Sequence, residues 1–130
     1  MIILQCLFIH FIECFHDRAQ INAAGPNAEK LWVSAWHQWD TVLWTLIYLR
    51  IALSTGDFTW IVAAIIARLF MLQIVLNYLR KLPITHLGTN PIDVVFLRLF
   101  GKRGTIYFKS TLVLAVLAYE IIQNYDFRIL

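Results

Sequence analysis

Apolar residues in this chain run in blocks instead of recurring as stripes. The blocks are MIILQCLFIHFIECFH at the start, WHQWDTVLWTLIYL near residue 40, residues 58–79, and residues 105–124. A helix needs roughly 20 apolar residues to cross a bilayer, so blocks of this kind predict membrane spans and not strands of a soluble sheet. The expected spans are about 2–16, 39–53, 58–79 and 105–124. The fold class read from this pattern is all-α, an integral membrane helical bundle of four transmembrane helices. A short interfacial helix at about 91–100 joins the third to the fourth.

The polar positions punctuate these blocks. The first span is short, and helix continuing through 17–24 would lengthen it before the turn at Gly25-Pro26-Asn27. Trp32, Trp36 and Trp39 fall at i, i+4 and i+7, the spacing of one helical face, and tryptophan concentrates at the head-group level. In Ser54-Thr55-Gly56-Asp57, Gly56 suits the left-handed position that ends a helix and Asp57 suits the N-cap of the next. Ala63 and Ala67 form a small-xxx-small pair that allows close helix approach. Asn90 as N-cap, Pro91 at the first helical position and Asp93 in the first turn open the interfacial helix. Ile92, Val95, Phe96 and Leu99 share one of its faces, and Gly101 ends it.

Composition agrees with the pattern. Of 130 residues, 60% are apolar and only 15% charged, with a mean hydropathy of +0.67. A soluble domain this small exposes more surface than so few charges can cover. The net charge of +3 raises nucleic acid as a partner. However, Arg80, Lys81, Arg98, Lys102, Arg103 and Lys109 gather between two apolar blocks, as expected of a cytoplasmic loop. No nucleic-acid motif accompanies them. Placing that loop inside gives a multi-pass protein with both termini outside (N-out/C-out), in the cytoplasmic (inner) membrane if the source is bacterial. An N-in arrangement with three crossings is the alternative. The N-terminal run lacks the basic residues of a secretory signal and reads as a retained span. Cys6 and Cys14 lie eight residues apart on one helix, about 12 Å, beyond the ~7 Å that a disulfide allows.

Candidate chemistry sits where charge interrupts the apolar blocks. An Asp, Lys or Arg at the centre of a span costs roughly 2.5–3.5 kcal/mol on insertion scales, so such groups face partners or water. His10, Glu13, His16 and Asp17 interrupt the first block, and His37 and Asp40 open the second. Glu13-x-x-His16 opposite His37-x-x-Asp40 places two i, i+3 pairs on antiparallel neighbours. Imidazole with carboxylate suits a divalent transition metal, zinc, iron or manganese. Di-iron bundles use a related arrangement, but with two Glu-x-x-His motifs and two further glutamates, and this chain has only one such motif. The same residues suit a proton or cation relay. A purely structural role, with Glu13 paired to His37 or Arg18, needs no ligand. Arg68 is the costliest placement and requires a carboxylate, with Glu13, Asp40 and Glu120 as candidates. Arg50 and Glu120 are candidate mutual partners, and Gln73 and Asn77 form a polar pair at i, i+4. These five residues, Arg68, Gln73, Asn77, Arg50 and Glu120, are interhelical glue or the lining of a hydrated cavity. His86 stands alone in a loop.

Two functions follow. The first is a non-catalytic accessory or helix-association protein, acting in the lipid bilayer on a membrane-protein partner or a second copy of itself. The second is a membrane-embedded metal-dependent enzyme or metal/proton-handling protein built on Glu13, His16, His37 and Asp40. A holin-like lesion former fits less well, because no highly charged tail is present.

Overall fold

The computed structural model describes residues 1–25, 32–87 and 91–125; of 24 and 32–37 only the helical backbone is described. The Gly-Pro-Asn turn beyond Gly25, the Asn90 cap and the side chains of Trp32, Trp36 and His37 lie outside the described residues. The architecture is all-helical, with no strand among the described residues. Helix α1 is Ile2–Ala24, α2 is Trp32–Thr55, α3 is Thr59–Leu79 and α4 is Pro91–Asn124. Two of them, α3 and α4, are long and apolar enough to cross a membrane.

Helix α1 continues past the span drawn at 2–16 through 17–24, as the lengthened alternative expects, and stops at Gly25, whose φ of 70° only glycine adopts without strain. Its buried face is Ile3, Cys6, His10, Glu13, Cys14 and Asp17, at the three- and four-residue spacing of one helical side. The opposite face exposes Leu4, Phe8, Phe11, Ile12 and Phe15. Polar groups face in and large apolar groups face out, the reverse of a soluble amphipathic helix. Helix α2 repeats this pattern, with Tyr48 and Ala52 buried and Val42, Leu43, Leu46 and Leu53 exposed.

Gly56, with φ of 70°, closes α2. Asp57 Oδ1 then accepts the Thr59 backbone N–H at 2.9 Å, satisfying a free donor at the start of α3. Hydrogen bonds from the Thr59 side chain and backbone hold the Asp57 carboxyl below its ordinary range. Helix α3 is the centre of the bundle and touches α1, α2 and α4. Its Ala63, Ala64 and Ala67 are buried in one cluster with Ile3, Cys6, Tyr48 and Val116. Side chains this small let neighbouring backbones approach closely. Between Leu72 and Leu76 the helix widens into a π-turn, which no sequence signal foretold.

Helix α4 breaks at Gly101, where φ is 67° and ψ 178°, into arms 91–100 and 102–124. Phe100 stacks on Phe108 at 4.3 Å and Phe96 lies 6.0 Å from the same ring, which folds the first arm against the second. The Thr105 hydroxyl donates to Gly101 O at 2.7 Å, and Phe96 O lies 3.3 Å away, so it occupies carbonyls freed by the break. Lys109 is buried with its ammonium 5.0 Å over the Phe96 ring. Cys6 and Cys14 are free and buried.

Candidate functional site

Arg68 lies one turn beyond Ala64, and the small residues beneath it bring α1 close enough to reach. Its Nε and Nη2 donate to Glu13 Oε1 at 3.0 and 2.8 Å. Nη2 also donates to Asp40 Oδ2 at 2.6 Å, and Nη1 donates to the Thr41 hydroxyl at 2.7 Å. One guanidinium thus ties α3 to both α1 and α2. Of the three partners proposed for Arg68, two are in contact with it; Glu120 is elsewhere. The Arg68 and Asp40 side chains are each 12% exposed and Glu13 is 3% exposed, so water screens these contacts little.

The other oxygen of Glu13, Oε2, meets Nδ1 of His10, which is fully buried one turn earlier on α1. His10 Nε2 lies 3.3 Å from the Tyr48 hydroxyl, and its ring packs edge-on against Trp44 at 5.3 Å. Trp44 in turn stacks on Tyr48. Both ring nitrogens of His10 therefore have partners, which fixes the ring in place. Glu13, Asp17 and Asp40 can each offer a carboxylate oxygen, all within 4.8 Å of one another.

Charge in this network does not balance by itself. Glu13, Asp40 and Asp17 bring three carboxylates together beside the Arg68 guanidinium, which contacts Glu13 and Asp40. In a low-dielectric interior an uncompensated charge is strongly unfavourable, so acids gathered this closely need cations or hydrogen-bond donors to offset them.

Of the metal quartet drawn from the sequence, Glu13, His16 and Asp40 have described side chains. Glu13 and Asp40 meet on Arg68, but the His16 side chain is 53% exposed and lies 3.8 Å from Asp17 Oδ1. Among the described histidine side chains the buried one is His10, on the other side of Glu13. His37 falls outside the described side chains. Arg18 is not the partner of Glu13 either; its Nε donates to Asn22 at 3.3 Å. The signal for His10 was the polar content of the spacing 3, 6, 10, 13, 14, 17, which collects Cys6, His10, Glu13, Cys14 and Asp17 on one face.

The remaining residues separate from this network. Gln73 Nε2 donates to Ile84 O at 3.3 Å and Asn77 Nδ2 to His86 O at 2.8 Å. These amides clamp the segment after α3 onto its π-turn and do not line a shared cavity with Arg68. Arg50 and Glu120 are not paired among the described residues: Arg50 is exposed, and Glu120 is turned inward to accept the Ile3 backbone N–H at 2.8 Å. Comparison with protein-family models, with curated proteins and with solved structures finds no match to this chain.

Proposed function

We propose that the chain is a four-span membrane protein whose Arg68, Glu13, His10 and Asp40 form an intramembrane proton relay. The observation that carries this reading is the composition of the network: two carboxylates on one guanidinium, with a buried histidine held at both nitrogens beside them. A purely structural staple needs only Arg68 and its acids. The added imidazole can take a proton at one ring nitrogen while giving one up at the other, and each nitrogen already faces a hydrogen-bonding partner.

The four-span reading draws on the direction in which α1 and α2 face. At 23 and 24 residues they are about 35 Å long at 1.5 Å per residue, enough for a hydrocarbon core of about 30 Å. Glu13 on α1 and Asp40 on α2 turn toward Arg68, while Phe8, Ile12, Leu43 and Leu53 face outward where lipid tails cover them. The basic residues between α3 and the second arm of α4 then lie inside, with both termini outside.

Proton movement through liposomes tests the reading. With a pH dye in the lumen and a potassium–valinomycin potential, native protein is expected to carry protons well above protein-free vesicles, and Glu13→Gln at least tenfold more slowly. Native flux equal to that of empty vesicles would leave the network a structural staple, and the accessory, helix-association reading would replace the relay.

The convergence of Glu13, Asp17 and Asp40 oxygens favours a second reading, a divalent cation in place of the proton. An all-oxygen set suits manganese or magnesium better than zinc. Arg68 already occupies Glu13 and Asp40, and a cation there would face its charge at short range. Metal content of the detergent-purified protein, beside Glu13→Gln, decides between them: the relay expects no stoichiometric metal.

A further inference from the structure

We infer that the inner end of the bundle carries a site for the phosphate of an anionic phospholipid, built by Arg18 on α1 and Arg80 after α3. The site rests on the membrane reading above and not on the relay. An open cavity of about 240 Å³ lies where these two elements meet, walled by Arg18, Ile21, Asn22, Arg80 and Leu82. Two guanidiniums and one amide line it, and among the described residues no acid does. Both arginines are half-buried, so water screens their charge less than it would on an open surface.

Local bonds fix both walls. On α1, Arg18 and Asn22 stand one turn apart, and Arg18 Nε donates to Asn22 Oδ1 at 3.3 Å. That bond uses one of the five guanidinium donors, and the Asn22 amide adds two N–H donors of its own. At the end of α3, the Leu82 N–H donates to Asn77 O at 2.9 Å and the Lys81 N–H to Tyr78 O at 3.0 Å. These are the paired bonds of a Schellman turn, and Lys81 takes its left-handed position with φ of 57°. The turn sets Arg80 and Leu82 at the cavity wall.

Charge and shape both select the occupant. The two helix ends bring about half a negative charge each, against two full positive charges, so the balance favours an anion. Guanidinium forks match phosphate oxygens in pairs. At about 30 Å³ per water, the cavity has room for a phosphate with glycerol beside it. Ile21 and Leu82 offer the top of an acyl chain an apolar surface, which a free phosphate ion does not use. Both helix ends lie inside in the topology proposed above, and anionic lipids gather in the inner leaflet.

Lipid retention tests the site. The detergent-purified chain is mixed with short-chain phosphatidylglycerol, short-chain phosphatidylcholine or glycerol phosphate, and bound molecules are counted by native mass spectrometry. Phosphatidylglycerol is expected to bind at least tenfold more tightly than phosphatidylcholine, and Arg18→Gln/Arg80→Gln is expected to lose at least tenfold of that affinity. Equal retention of the two lipids, or native retention by the variant, would overturn the site. Glycerol phosphate bound as tightly as the lipid would overturn the lipid as occupant. Lys102→Gln, an exposed basic residue outside the cavity, is expected to retain lipid as the native chain does. An equal loss there would overturn the cavity in favour of diffuse attraction. A chain that stays soluble without detergent would overturn the membrane reading together with the site. Should the double variant fail to fold, Arg18→Gln alone carries the test, and native retention there overturns the inference equally.

Discussion

Arg68 shows at the scale of one residue how charge is made tolerable within this bundle. Its guanidinium meets Glu13, Asp40 and Thr41 together, and the planar spread of its donors is what reaches three acceptors on two helices. Arg68→Met would leave two buried carboxylates facing each other and is expected to cost about 3–5 kcal/mol, read as a lowered Tm in detergent. Arg68→Lys keeps the charge but loses the fork, and an intermediate loss is expected. Sequence reasoning reached part of this, because a mid-span cation must find an acid and few acids are present. It could not choose the histidine. His10 and His16 flank Glu13 at the same three-residue distance, and only the packing of Tyr48 and Trp44 against α1 selects His10.

Among the elements, glycine-governed breaks were legible and the widening of α3 was not. Gly25, Gly56 and Gly101 all adopt positive φ, and each stands where the chain leaves a helix or turns within one. An alanine Cβ at Gly101 would meet nothing within 4 Å, so Gly101→Ala isolates the backbone cost. With φ at 67° that cost is expected to be about 1–2 kcal/mol, visible as a lower Tm with the helical circular dichroism unchanged. The π-turn at Leu72–Leu76 left no trace in composition, since LQIVL is as good an α-helix segment as its neighbours. Its surroundings are tertiary. Cys14 Sγ donates to Met71 O at 3.5 Å, and Gln73 and Asn77 reach across to the carbonyls of Ile84 and His86.

For the molecule as a whole, α3 is the axis on which the other helices pack, and its alanines set how closely they approach. Ala63→Leu adds bulk to the fully buried contact with Ile3, Cys6 and Tyr48 and is expected to destabilise by about 1–3 kcal/mol, measured by thermal denaturation in detergent. Because the same contact carries α1 toward Arg68, proton flux should fall with it. The sequence by itself determined that the chain is helical, that it breaks at Gly25, Gly56 and Gly101, and that the few charges inside its apolar blocks must seek one another. Those properties follow from local backbone preference, from block length and from the energy of desolvating charge, all of which act along the chain. Only the tertiary structure decided that polar groups of α1 face inward, that His10 and not His16 joins Glu13, and that Glu120 turns to Ile3 and away from Arg50. Each of these is a choice between equivalent spacings on one helix, and it is made by the rotation of that helix against its neighbours, which no local pattern encodes.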